Sequence, residues 1–139
     1  MIDSPHPNAV SLSSDWYGAD TPDRGRGLFA ARPFAAGEVI GRYAALPLSA
    51  REVQAIRGTR AYDYVFWVRE APEHGPEAFD AALALGAISL CNHSRRASAS
   101  FEVSPDGLYI VQTAARAIPA HGEITIDYGD FVHFEERDG

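Results

Sequence analysis

A polar triplet, Asn92-His93-Ser94, closes the apolar run that ends in Ile88, Leu90 and Cys91, and two arginines follow it at once. Such groups are costly to bury unless hydrogen-bond partners await them. The triplet therefore calls for an extended segment of the chain and a ligand. The candidate segment is Gly122-Glu123-Ile124-Thr125-Ile126-Asp127-Tyr128-Gly129, near the C-terminus. These two stretches are expected to build one site on a scaffold supplied by the rest.

That scaffold reads as mostly β. A first strand is expected from Asp15-Trp16-Tyr17. After the turn-rich Thr21-Pro22-Asp23-Arg24-Gly25-Arg26-Gly27 come a short apolar strand at Leu28–Ala31 and another at Glu38–Tyr43. Ser49-Ala50-Arg51-Glu52 is a capping box and predicts a short helix over 50–57, stopped by Gly58. Tyr62–Val68 is aromatic and β-branched and predicts a strand. Residues 78–90 are Ala/Leu-rich and are expected to be partly helical. Alternation at Ala99, Phe101 and Val103, then at Tyr109, Val111 and Thr113, predicts a hairpin around Ser104-Pro105-Asp106-Gly107. The last strand is expected at 122–128. A faint echo links Ala31-Arg32-Pro33-Phe34…Gly37-Glu38-Val39-Ile40…Tyr43 with Ala115-Arg116-Ala117-Ile118…Gly122-Glu123-Ile124…Tyr128, as two strand–turn–strand units.

The 139 residues suit one domain, and 46% hydrophobic content argues against disorder. No apolar run reaches the ~18–20 residues of a membrane span. The N-terminus shows no secretory pattern, so the cytoplasm is the expected location, or the nucleus for a eukaryotic or viral source. One cysteine leaves no internal disulfide and no multi-cysteine zinc cluster. A net charge of −7 disfavours a nucleic-acid backbone and suits either a basic partner or simple solubility. All 12 basic residues are arginine, so lysine-directed chemistry would find no substrate within the chain.

Three groups of residues could carry chemistry. Gly25-Arg26-Gly27 precedes a strand, so it is not a dinucleotide fingerprint. It is either an ordinary turn or a place where backbone approaches a ligand closely. Period two sets Ile124, Ile126 and Tyr128 on one face of the last strand, so the Tyr128 hydroxyl faces inward toward either a core carbonyl or a ligand. Cys91 and His93 could form a nucleophilic pair, but no residue nearby would orient the histidine. The five histidines show no metal-ligand spacing.

In order and spacing, Gly25-Arg26-Gly27-Leu28-Phe29-Ala30, Gly37-Glu38, Tyr62-Asp63-Tyr64-Val65-Phe66, Cys91-Asn92-His93-Ser94 and Gly122–Gly129 resemble the SET-domain lysine methyltransferases. The likeness is greatest to the small stand-alone viral and bacterial members. It covers about residues 14–134, leaving 1–13 as a loose lead-in and 135–139 as a tail. It implies the SET β-clip fold: several small sheets, one or two short helices, and a pseudoknot between the Asn-His-Ser and Asp-Tyr segments. It also implies S-adenosylmethionine as cofactor, held by Gly25, Arg26, Gly27, Asn92, His93, Tyr128 and Phe134. Tyr128 would be the catalytic tyrosine, and Tyr64 would line the lysine channel.

The implied substrate is a lysine in a basic, histone-like protein or peptide, with no direct nucleic-acid or membrane partner. Four departures from the family pattern stand out. Arg95-Arg96-Ala97-Ser98 replaces Cys-x-Pro-Asn, Ser89 replaces the usual arginine, and Val132 replaces an aromatic. The flanking zinc segments are not in this sequence, so a C-terminal wall is expected from Phe131–Phe134 or from a second subunit in a homodimer. The alternatives are a catalytically silent SET-like module that binds a basic peptide, and a β-rich oligomerisation domain.

Overall fold

The computed structural model describes residues 3–67 and 79–127. In chain order it contains β1 (Val10–Ser11), β2 (Trp16–Asp20), β3 (Arg26–Ala30), β4 (Val39–Ser49), helix α1 (Ala50–Ile56) and a 3-10 helix (Arg60–Tyr64). There follow β5 (Val65–Trp67), β6 (Phe79–Ala84), a second 3-10 helix (Ala87–Leu90), β7 (Asn92–His93), β8 (Ala99–Val103), β9 (Tyr109–Ala114) and β10 (Glu123–Ile126). One sheet runs β1-β2-β3-β10-β7 and the other β5-β6-β4-β9-β8. The expected mostly-β architecture is what forms.

Strand β4 alternates buried Tyr43 and Ala45 with exposed Ala44 and Leu46, as a half-buried strand should. Its inward side chains join Leu28, Phe66, Ile88, Ile110, Ile124 and Ile126 in the main core between the sheets. Its outward Leu48 is covered by α1, whose one buried residue, Val53, packs with Leu48, Val65 and Ala81. The capping box forms: the Ser49 hydroxyl accepts from the Glu52 amide at 3.2 Å, and the Glu52 carboxylate accepts from the Ser49 amide at 2.9 Å. The Ser104–Gly107 hairpin also forms, with the Asp106 carboxylate accepting from the Ser104 hydroxyl and the Leu108 amide. Those two bonds, the hydroxyl first, lower the Asp106 pKa.

Two expected elements differ. The strand predicted over Tyr62–Val68 is a 3-10 helix as far as Tyr64 and a strand over Val65–Trp67, with Val68 outside the described residues. Thr59 explains the change: its hydroxyl donates to the Ile56 carbonyl at 2.6 Å and its own carbonyl accepts from the Tyr62 amide at 3.2 Å. The chain therefore leaves α1 through a second coil, and the Tyr62 ring meets Trp67 edge-on. The segment expected to be partly helical over 78–90 is helical only at its end, as a 3-10 helix over Ala87–Leu90, and is strand β6 over Phe79–Ala84; residue 78 lies outside the described residues. Ala81 and Ala82 are fully buried on opposite faces of β6, between the α1 cluster and the main core. A central strand there needs small side chains, and tertiary burial overrides the helix propensity of alanine.

The N-terminal segment lies on the outer face of the first sheet. His6 stacks on Phe29 with ring centroids 3.9 Å apart, the Asp20 amide donates to the Pro7 carbonyl, and β1 pairs with β2.

Candidate active site

The turn that opens the site is closed by Thr21. Its amide and hydroxyl donate to the Gly25 carbonyl at 2.7 and 2.9 Å, and the same hydroxyl accepts from the Arg24 amide at 2.8 Å. Gly25 stands at φ +71°, which a side chain would resist. Gly27 has a different reason to be glycine. A Cβ there would lie 2.8 Å from Glu123 Oε2 and 3.0 Å from Asn92 Nδ2. The turn thus brings bare backbone against two polar side chains.

Those side chains come from adjacent strands. β7 pairs in parallel with β10, Asn92 opposite Thr125 and His93 opposite Ile126. Asn92 Nδ2 donates to the Arg26 carbonyl at 3.1 Å and to Glu123 Oε2 at 2.8 Å. Glu123 Oε1 pairs with Arg24 Nη2 at 2.9 Å, and Arg24 Nη1 donates to the His93 carbonyl at 3.2 Å. The Ser94 amide donates to the Ile126 carbonyl. In a parallel ladder of this register, the backbone groups of His93 point away from β10, toward the sheet edge that β7 forms. The His93 ring is buried, with Nδ1 3.8 Å from Asp127 Oδ1.

Residues 94–98 then arch back to β10. The Ser98 amide donates to Thr125 Oγ1, the Ser98 hydroxyl donates to the Glu123 carbonyl, and that hydroxyl accepts from the Thr125 amide, each at 3.0 Å. Arg116 fastens the arch by donating to the Arg96 and Ala97 carbonyls. β10 is therefore held by β3, by β7 and by Ser98. This interlock is the geometry the expected pseudoknot requires. The departure after Ser94 leaves a well-bonded segment, with buried Ser98 in the position where the family pattern has asparagine.

Cys91 takes no part in this. Its thiol is buried and accepts from Gln112 Nε2 at 3.3 Å, while Gln112 Oε1 accepts from the Tyr43 hydroxyl at 3.0 Å. Burial pushes the Cys91 pKa up to about 12 and raises that of Tyr43 as well. A thiol so placed carries no thiolate at neutral pH, which removes the Cys91–His93 nucleophile.

The SET domain family profile matches residues 25–129. The chain belongs to the SET domain family. Among solved structures, a Plasmodium falciparum protein assigned as a histone methyltransferase superposes with a TM-score of 0.65 at 21% identity, covering 86% of this chain and 96% of that one. The Neurospora SET domain protein DIM-5, a histone lysine methyltransferase, gives 0.63 at 17% identity, covering 86% of this chain and 54% of that one. At such identities the likeness carries the fold. No curated protein matches the sequence.

Within this SET domain, Gly25, Gly27, the Arg26 backbone and Asn92 come together, with His93 beside them. Tyr64 lies elsewhere, 41% exposed at the end of the 3-10 helix beside β5, the edge strand of the other sheet. Tyr128 follows Asp127, the last described residue of this segment. Tyr128, Val132 and Phe131–Phe134 lie outside the described residues. Sequence reasoning gave no role to Arg24, Glu123 or Ser98. The one signal for the first two was position: Arg24 abuts the glycine turn and Glu123 opens the last strand.

Whether these residues fit S-adenosylmethionine turns on Asn92. Both partners of its carboxamide, a carboxylate and a backbone carbonyl, only accept, so the NH2 must face them. Its Oδ1 therefore lies on the opposite side, and among the described residues no hydrogen bond reaches it. A partly exposed acceptor beside glycine backbone matches the ammonium end of such a ligand, and the outward edge of β7, where the His93 carbonyl already accepts from Arg24, lies next to it. The residues fit the cofactor.

Proposed function

We propose that this SET domain is a protein-lysine N-methyltransferase that uses S-adenosylmethionine and acts on a lysine in a basic protein or peptide. The observation that carries this is the grip on Asn92, which fixes a hydrogen-bond acceptor on the strand neighbouring the one that leads into Tyr128. Bound S-adenosylmethionine supplies an electrophilic methyl group on a sulfonium. Asn92, the Gly25–Gly27 backbone and the β7 edge hold the two ends of the molecule. By its place in the family motif Tyr128 is assigned as the catalytic tyrosine and Phe134 as a cofactor contact. Tyr64 lines the lysine entry.

Alignment is the main lever in an in-line displacement. The attacking amine must also be neutral, and desolvation in an aromatic channel lowers its pKa from about 10.4. The net charge of −7 steers a cationic substrate toward the protein. Both structural relatives act on, or are assigned to, histones, which makes a histone or another basic protein the substrate class to try first.

Mass spectrometry of lysine-containing basic peptides incubated with enzyme and S-adenosylmethionine tests the reading. The expected result is methylated lysine, with near-complete loss in Tyr128→Phe. Cofactor binding with no transfer to a broad peptide panel would instead favour a silent module that binds a basic peptide. The well-bonded arch at Ser98 weakens that alternative, because the segment that departs from the family pattern still holds β10 in place.

A further inference from the structure

Glu123 stands at the centre of the site's polar contacts. Its carboxylate is engaged at both oxygens, Oε1 by Arg24 Nη2 and Oε2 by Asn92 Nδ2. Only 18% of its side chain is exposed, and the same holds for Arg24. The missing Cβ of Gly27 is what leaves room for Oε2. A carboxylate cannot donate, so its contact with Asn92 admits one orientation of the carboxamide, and the Arg26 carbonyl imposes the same orientation independently. Arg24 in turn fixes the carboxylate from the other side and ties it to β7 through the His93 carbonyl.

We infer that Glu123 is a positioning residue that locks the Asn92 carboxamide with its oxygen toward the ligand, so that the site selects a cationic donor group. Glu123 does not touch the ligand. Its negative charge is held by Arg24, and what it transmits is a hydrogen-bond polarity. This rests on the cofactor reading above and adds to it the origin of selectivity for the ammonium end. Replacing one carboxylate oxygen by NH2, as in Glu123→Gln, sets up a conflict. If the glutamine oxygen stays on Arg24, its NH2 faces the Asn92 NH2. Asn92 must then turn its oxygen inward, against the Arg26 carbonyl, and present NH2 to the ligand.

Two ligands separate positioning from general damage: S-adenosylhomocysteine, which carries the amino-acid end, and 5′-methylthioadenosine, which lacks it. By calorimetry on the full chain, Glu123→Gln should weaken S-adenosylhomocysteine more than about tenfold, the size of one charge-assisted hydrogen bond. Methylthioadenosine should change by less than about twofold. In an Asn92→Ala background, Glu123→Gln should add almost nothing, because its effect travels through Asn92. Equal losses for both ligands, no loss for either, or a full additional loss in the Asn92→Ala background would each overturn the inference.

A wild-type protein that binds neither ligand would overturn the cofactor reading instead. Nuclear magnetic resonance of the ligand-free protein then decides the role of Glu123. The Asn92 side-chain amide protons should shift and exchange faster in Glu123→Gln. Unchanged signals would overturn it.

Discussion

Phe34 and Ile118 exchange backbone hydrogen bonds, each amide donating to the other's carbonyl, at 2.8 and 2.9 Å. They are the midpoint of a local two-fold relationship. The Gly37 amide donates to the Ala114 carbonyl and the Ala114 amide to the Glu38 carbonyl. In the matching unit, the His121 amide donates to the Ala30 carbonyl and the Ala30 amide to the Gly122 carbonyl. Each unit passes its outgoing strand to the other's sheet, since β4 pairs with β9 and β10 with β3. Neither sheet is complete without the crossing.

Both crossing side chains are 2% exposed, so truncating one should loosen both sheets together. Ile118→Ala is expected to lower unfolding stability by about 2–5 kcal/mol. The two tryptophans report on different regions: Trp67 lies within the second sheet, and Trp16 lies on β2 of the first and reaches Ile40 and Tyr43 of β4 across the core. In urea titrations of Trp16→Phe and Trp67→Phe versions, both reporters should keep a common midpoint. Two separate midpoints would show that the sheets unfold independently and that the crossing does not couple them.

The two-fold partners Gly37 and His121 both sit in the left-handed region, at φ +86° and +69°. Nothing lies within 4 Å of a Cβ built on Gly37, so Gly37→Ala should carry backbone strain alone, about 1–2 kcal/mol. His121→Gly removes the same kind of strain. It also removes the His121 Nδ1 contact with the Tyr17 hydroxyl at 2.8 Å, a bond of about 1 kcal/mol. Its net effect should be the smaller of the two. Thermal denaturation of both variants gives the order directly, and a larger loss for His121→Gly would mean that the Tyr17 contact outweighs the strain.

The internal echo was readable because both units need the same things: a strand, an apolar crossing residue and a left-handed turn. Its register was not. The repeated Gly-Glu pairs Gly37 with Gly122, whereas in space Gly37 matches His121, where a histidine keeps an unfavoured backbone while its side chain meets Tyr17 across the sheet. Such a contact leaves no local trace. Ala81 and Ala82 misled for a related reason, since alanine favours a helix until both faces of the segment are buried. The meeting of Asn92 with Gly25–Gly27 was legible as motif order. The part played by Glu123 was not, because it exists only once the parallel pairing of β7 and β10 sets Glu123 beside Asn92 and Arg24.

Burial of Cys91 has a consequence for alkaline stability. Its folded pKa of about 12 lies above the ordinary thiol value of about 8.5. Below that ordinary value both states keep the proton and the thiol adds no pH dependence. Between about pH 8.5 and 12 the unfolded chain loses the proton first, so stability falls as pH rises, by at most about 1.4 kcal/mol per unit. Tyr43, also raised, adds to the decline further up. Urea titrations of Cys91→Ala from pH 8 to 10.5 should show a shallower decline than wild type. Parallel slopes would mean that the thiol ionises in the folded protein. Alkylation at pH 8 should likewise need denaturant.

Ser98 gives the sharpest test of how the site is held. Its hydroxyl accepts from the Thr125 amide and donates to the Glu123 carbonyl, at a position 3% exposed. Ser98→Ala leaves both β10 groups buried without that partner, at a cost of about 1–3 kcal/mol. The loss should also reach the ligand, because β10 carries Glu123 and Glu123 orients Asn92. Expected together are faster hydrogen exchange at the Thr125 amide, a lower unfolding midpoint and weaker S-adenosylhomocysteine binding. Lower stability with unchanged affinity would show that the arch supports the fold alone. Unchanged Thr125 protection would show that the arch does not hold β10 through this hydroxyl.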